Sequence, residues 1–314
     1  MHDTRIHTLY VVVIFFMLGI GMLIGEGLYP GQIRQQAKTL ASLRVQVDAV
    51  LQQNKTSKDQ LDKMQSAFDA IRPGMVRGKL NGKRVIVLQT GDSHDAVESA
   101  ISALNDAGAT VITVTLGDGI TNVTNEQRED IESISNPSSP RVTTESTDGT
   151  GQSPNTDNSP AFDALAAILT EGTAKNAVNE QELEKLETLG MVNVDGSLDE
   201  GSNLIVVVGG QADAPSDMGD ADPATVLDIP LIQRLGAVSH NRSTLVGCES
   251  STAGTSYITD YQNAGIATVD CIDLPIGQLA LPFALRGGVD KGDYGIKGTA
   301  KRILPASISG NGTT

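Results

Sequence analysis

Tryptophan is absent, and aromatic residues make up only 3% of the chain. Its apolar volume must therefore come from small and aliphatic side chains. With 33 glycines and many Ala and Val, this points to tightly packed α/β layers with frequent turns. Positive charge is also scarce: 23 Lys and Arg stand against 38 Asp and Glu, a net charge of -15. A nucleic-acid footprint needs clustered Lys and Arg, so no nucleic-acid partner is expected. An acidic soluble part favours solubility and attracts cations weakly. Only two cysteines are present, Cys248 and Cys271, and neither sits in a CxxC. That excludes the dense disulfide framework of a small secreted scaffold. GxGxxG and the P-loop pattern are missing as well.

What the chain does have is one long apolar run, Leu9–Leu28, reading LYVVVIFFMLGIGMLIGEGL, with Glu26 its only charge. About 20 apolar residues suffice to cross a bilayer core of roughly 30 Å. Tyr10 and Tyr29 stand at the two ends, where aromatic rings favour the interface. A buried soluble helix would show a polar stripe, and a cleaved signal peptide a small-x-small site, and neither is evident. Residues 1–30 are thus expected to be a tail and a single transmembrane anchor in the lipid bilayer. Within it, Gly21 and Gly25 form a small-xxx-small pair that lets two membrane helices approach closely.

A heptad follows, over 31–73. With Ile33 at a, the a positions are Ile33, Leu40, Val47, Asn54, Leu61 and Phe68, and the d positions Gln36, Leu43, Val50, Ser57, Met64 and Ile71. Nine of these twelve are apolar, and no Gly or Pro intervenes before Pro73-Gly74, where the helix is expected to end. Asn54 at an a position suits a parallel homodimer, where paired asparagines fix register. Gly21, Gly25, Leu40, Val47, Asn54 and Leu61 are the expected oligomer interface. The alternative is a long amphipathic helix lying back on its own domain.

After the basic turn RGKLNGKR, residues 80–304 read as an open, mostly parallel α/β sheet domain. Strands are expected at Val85–Leu88, Thr110–Leu116, Leu204–Val208, Thr244–Gly247 and Ile266–Val269. Helices are expected at His94–Asn105, from Pro160 through AFDALAAILTEG, at Asn179–Leu189 with Asn179 as cap, at Thr225–Leu235, kinked or broken at Pro230, and at Leu279–Leu285. The turn QTGDSHD reads as a helix-capping turn rather than a phosphate cradle. Residues 135–159 read as a disordered insertion and 305–314 as a flexible tail.

Cys248 and Cys271 each fall beside a strand end. One disulfide or two buried thiols both fit, and as soft donors they are the candidate metal ligands. His2, His7, His94 and His240 are scattered, and the seven methionines are spread among anchor, coil and loops. No cofactor follows from these residues, and copper has little support from them alone. Asp270 and Asp273 in VDCIDLPIG lie where open sheets bind ligands, so a hard cation or acid/base pair competes with turn-fixing and helix-capping roles. No nucleophile–base pair is evident, so no enzyme is expected.

Three stretches resemble one family, the mycobacterial copper transport protein B (MctB) family of bacterial envelopes: RIHTLYVVVIFFMLGIGMLIGEGL, KRVIVLQTGDSHDAVESAISALNDAGATV, and ATVDCIDLPIGQLALPFAL followed by DYGIK. The resemblance implies a single-pass envelope protein linked to copper efflux or homeostasis. It also implies an amino terminus inside and the soluble domain outside the cell membrane. Counting Arg34, Lys38 and Arg44 against Arg5 alone would place that domain inside, although a long following domain weakens this rule. The alternative is a dimeric envelope scaffold recruiting protein partners for cell-wall remodelling or division.

Overall fold

A computed structural model describes residues 3–120, 123–135, 159–174, 176–211, 224–239 and 242–309, apart from some side chains within helices, notably at 24–37. The chain divides into two units, Met1–Met64 and Gln65–Thr314.

The first unit is helical throughout its described length, as part of α1 (Asp3–Val76). Among the described residues, no helix is long and apolar enough to cross a membrane. Part of the expected anchor, from Ile24 onward, lies outside the described side chains. The part within them carries exposed Val12, Phe15, Phe16 and Leu23. The expected coiled-coil seam is likewise exposed at Leu40, Leu43, Val47, Val50, Leu61 and Met64, so no seam forms within a single chain.

Pro73-Gly74 does not end the helix, contrary to expectation. Proline forfeits only its own donor, and the helix continues one further turn, with Arg77 N–H donating to Pro73 O at 3.1 Å. Burial favours that extra turn: Val76 and Leu80 are in the core. The chain reverses instead at Gly78 and Gly82, whose φ of 74° and 67° suit glycine.

The second unit is built on a seven-stranded sheet in the order β3-β2-β1-β4-β5-β6-β7. The strands are β1 (Arg84–Gln89), β2 (Thr110–Leu116), β3 (Val192–Asp195), β4 (Leu204–Val208), β5 (Thr244–Cys248), β6 (Ala267–Val269) and β7 (Asp293–Tyr294). All pairs are parallel except β2 with β3. The strand order reverses between β1 and β4, the switch point of a doubly wound sheet.

Both faces are covered, which is why the central strands are continuous apolar runs rather than alternating ones. Ile86 and Leu88 face one core layer, made with α3 (Asn125–Ser135), α4 (Ser159–Glu171), α5 (Ala177–Thr188), α6 (Ile229–Val238) and α7 (Ile258–Asn263). Val85 and Val87 face the other, made with the end of α1, α2 (His94–Asp106) and α8 (Pro275–Arg286). Arg72 pins α1 to α2 through Asp106, with Nη2–Oδ2 at 2.9 Å.

Several boundaries differ from expectation. Asn176, not Asn179, caps α5 by accepting from Val178 N–H, while Asn179 donates to Gly172 O. Of the kink or break expected at Pro230, the structure shows the break: a π-turn (Ala224–Asp228) gives way to α6, with Pro230 in its first turn. The last helix begins earlier, at Pro275, a residue suited to a first helical turn. Residues 305–309 are not a loose tail: Pro305 is buried, and Asp290 accepts Ser307 N–H at 3.1 Å and its Oγ–H at 2.6–2.7 Å. That small helix is α9 (Ala306–Ser309). The expected insertion lies outside the described residues but for its edges.

Candidate functional site

Cys248 ends β5, and Cys271 lies two residues beyond the end of β6, whose Val269 pairs with Cys248. The parallel register therefore brings both cysteines to the carboxyl edge of the sheet. Both are buried free thiols. Burial pushes the Cys248 thiol well above its usual value, and the charges that Cys271 and Glu249 would carry add to this. Cys271 is pushed up to about 12, chiefly by burial and then by Asp270 beside it. A thiol must ionise to ligate copper, so this edge holds two soft donors in their non-ligating form. Among the described residues, no group of three or more His, Cys, Asp or Glu could hold a metal ion. His94 is exposed and pairs with Glu98, His7 is exposed, and His2 and His240 lie outside the described residues.

The carboxylates flanking Cys271 have structural partners. Asp270, fully buried, accepts the backbone N–H groups of Ile296 at 2.9 Å and Lys297 at 3.0 Å. Gly295 makes this possible, since a Cβ there would overlap the Asp270 carboxylate. The VD and DYGIK motifs are thus two halves of one clasp. Asp273 accepts Ser251 N–H at 2.5 Å and Ser251 Oγ–H at 2.6 Å, tying the loop after β5 to the loop after β6. It does not cap α8, whose cap position is Leu274. Gly277 lets the first turn of α8 sit against the Cys271 carbonyl.

Two buried networks carry no sequence signal of their own. Glu249 accepts Lys297 Nζ at 2.5 Å, Ser256 Oγ–H at 2.8 Å and Tyr257 N–H at 3.0 Å. Three donors from three residues suit a buried carboxylate that water cannot reach. In the second, the Tyr261 hydroxyl donates to Asp228, which also accepts Thr90 Oγ–H at 3.0 Å. Gly209 and Gly247 make room for the Tyr261 ring and hydroxyl. Burial first, and then Asp228, hold the Tyr261 phenol far above its usual range. Glu249 and Lys297 lie 48 positions apart, so only a correct strand order could have joined them.

At the switch point, a cavity of about 280 Å³ opens between Asp92, Ser93 and His94 after β1 and Gly210, Gln211 and Ser250. Gly91 serves close packing there, because a Cβ would overlap the Gly210 carbonyl. Ser93 occupies the cap position of α2 without a side-chain hydrogen bond.

The expected interface residues fall in the first unit. Leu40, Val47, Asn54 and Leu61 are exposed, and a Cβ on Gly21 would meet open space. Gly25 lies outside the described side chains.

A family model described as copper transport outer membrane protein, MctB, matches residues 1–305. The chain belongs to that family. No curated protein matches it.

Proposed function

We propose that this family member is a membrane-anchored envelope protein acting in copper efflux or homeostasis, without enzymatic activity of its own. The family match over 1–305 carries the reading. The apolar run Leu9–Leu28 supports a single-pass anchor, since its length suits a bilayer core. The α/β domain then stands outside the membrane, and a parallel dimer forms through the heptad of 31–73. Copper is the cargo in this reading, and Cys248 with Cys271 is the pair of soft donors available to it. Cu(I) binding there must displace both thiol protons, so it should strengthen as pH rises.

A second reading has a specific observation behind it. The buried polar groups at the carboxyl edge are engaged in clasps between loops, while the exposed heptad face is the surface left open. That favours a dimeric scaffold recruiting envelope proteins.

Anaerobic Cu(I) titration of the full chain in neutral detergent separates the two. Stoichiometric binding that disappears in Cys248→Ser/Cys271→Ser, with folding retained, supports copper handling by this domain. Absence of binding above background removes it and leaves the scaffold.

A further inference from the structure

A different feature lies at the opposite, amino edge of the sheet. There the turn from α1 into β1, the starts of β4 and β5, and the end of α8 enclose a cavity of about 500 Å³. Lys79, Lys83, Arg84 and Arg286 line it, and no acidic residue does. This is notable in a chain whose 38 acidic residues outnumber its 23 basic ones. Arg84 is engaged by Glu200, with Nη2–Oε2 at 3.1 Å. Lys79, Lys83 and Arg286 make no ion pair among the described residues. The Lys79 ammonium instead rests 5.1 Å from the centre of the Phe283 ring.

The rim is fixed before any ligand arrives. Leu80 N–H donates to Ala107 O at 3.0 Å, and Thr110 N–H donates to Lys83 O at 2.8 Å, anchoring the turn at both ends. Ser202 Oγ–H donates to Arg84 O at 2.7 Å. Thr244 N–H donates to Asn203 O at 2.7 Å, joining the starts of β4 and β5. Leu80, Leu204 and Leu285 supply an apolar lining. Gathered like charges repel one another, and a concave wall concentrates their field, so an anion entering this cavity relieves the repulsion. The volume falls in the range of small-molecule sites. Ammonium groups act as point charges toward phosphate, and a guanidinium offers a fork to two of its oxygens.

We propose that this cavity binds a small phosphorylated organic anion carrying several negative charges. Lys79, Lys83 and Arg286 neutralise its phosphate oxygens, and the leucines hold its neutral body. The site is independent of the copper reading and shares no residue with the two cysteines.

Calorimetric titration of the full chain in neutral detergent with inorganic tripolyphosphate tests it, at fixed ionic strength. Saturable binding of one tripolyphosphate per chain is expected. Lys79→Gln/Lys83→Gln/Arg286→Gln should weaken it about tenfold or more, the scale of losing charge-assisted hydrogen bonds. A control with the same change in net charge, Lys55→Gln/Lys58→Gln/Lys63→Gln on the first unit, should leave it unchanged. Absent or unsaturable binding overturns the proposal, as does equal weakening in both triple variants. Should the cavity variant melt early, Lys83→Gln and Arg286→Gln, both at exposed side chains, are read singly against the same criteria.

Discussion

The ammonium of Lys297 lies 2.5 Å from Glu249 Oε1, while the backbone N–H of the same lysine donates to Asp270 at 3.0 Å. One residue thus closes the ends of β5 and β6 together. Glu249 is fully buried, so removing its cation leaves a carboxylate charge away from water. Breaking a buried pair costs roughly 3–5 kcal/mol, and partial exposure of Lys297 lowers this to about 2–3 kcal/mol. Lys297→Met should lower the denaturant midpoint accordingly in equilibrium unfolding of the full chain. A change under about 0.5 kcal/mol would mean that the pair contributes nothing net.

Gly295 should be irreplaceable for a steric reason. Its φ is 145°, and a Cβ would overlap Asp270. Gly295→Ala must displace a carboxylate from two backbone donors, at a cost of roughly 2–4 kcal/mol. Gly298→Ala, where a Cβ meets open space, is the matched control and should cost below about 1 kcal/mol. Thermal melts of the two variants side by side give the answer. Equal melting points would show that the clasp tolerates a side chain.

The two thiols should make the domain alkali-sensitive. Cys271 is pushed up to about 12 in the folded state, against a usual value of 9.0. Above pH 9 the unfolded chain releases a proton that the folded chain retains, so the unfolded state gains. Stability is therefore fully present below about pH 9 and is lost as pH rises toward 12, at about 1.4 kcal/mol per pH unit for each such group. Cys248 shifts in the same direction, and so does Tyr261. Comparison of the full chain with Cys271→Ala should show a shallower alkaline decline in the variant. Parallel declines would assign the effect to the tyrosine and the other cysteine.

Much of this architecture was legible in the residues because period and length were unambiguous. Strand β2 (Thr110–Leu116) and strand β4 (Leu204–Val208) have the bounds their apolar runs imply. Antiparallel β3 was not legible, since its sequence VNVD is short and half polar. Helix α3 is mostly polar and, among its described side chains, carries only Ile131 deep into the core, too weak a pattern to read. The site followed the same logic. The cysteines could be placed beside strand ends, but the backbone donors to Asp270 and the cation on Glu249 come from the turn after β7, a strand of two residues. Asp228 was hidden for a similar reason. A π-turn has no sequence period of its own, so nothing aimed that carboxylate at Tyr261 until the fold did.

The exposed heptad makes the last prediction. Leu40, Val47 and Leu61 are 63%, 55% and 60% exposed in a single chain, a large apolar stripe to leave in water. A second copy would cover it, and Asn54 in the seam favours the parallel, in-register arrangement, because only there do identical asparagines meet. Paired a positions then face each other across the dimer axis, within reach of a disulfide, whereas f positions point away. With Ile33 at a, Asp59 is at f. Asn54→Cys in the full chain should therefore cross-link under mild oxidation, while Asp59→Cys should not. The native cysteines are both buried and should not interfere. Asn54→Ile should raise dimer stability yet blur register and oligomer size, read by sedimentation in detergent. Equal cross-linking at both positions, or at neither, would mean that the stripe is covered by something other than a parallel copy of itself.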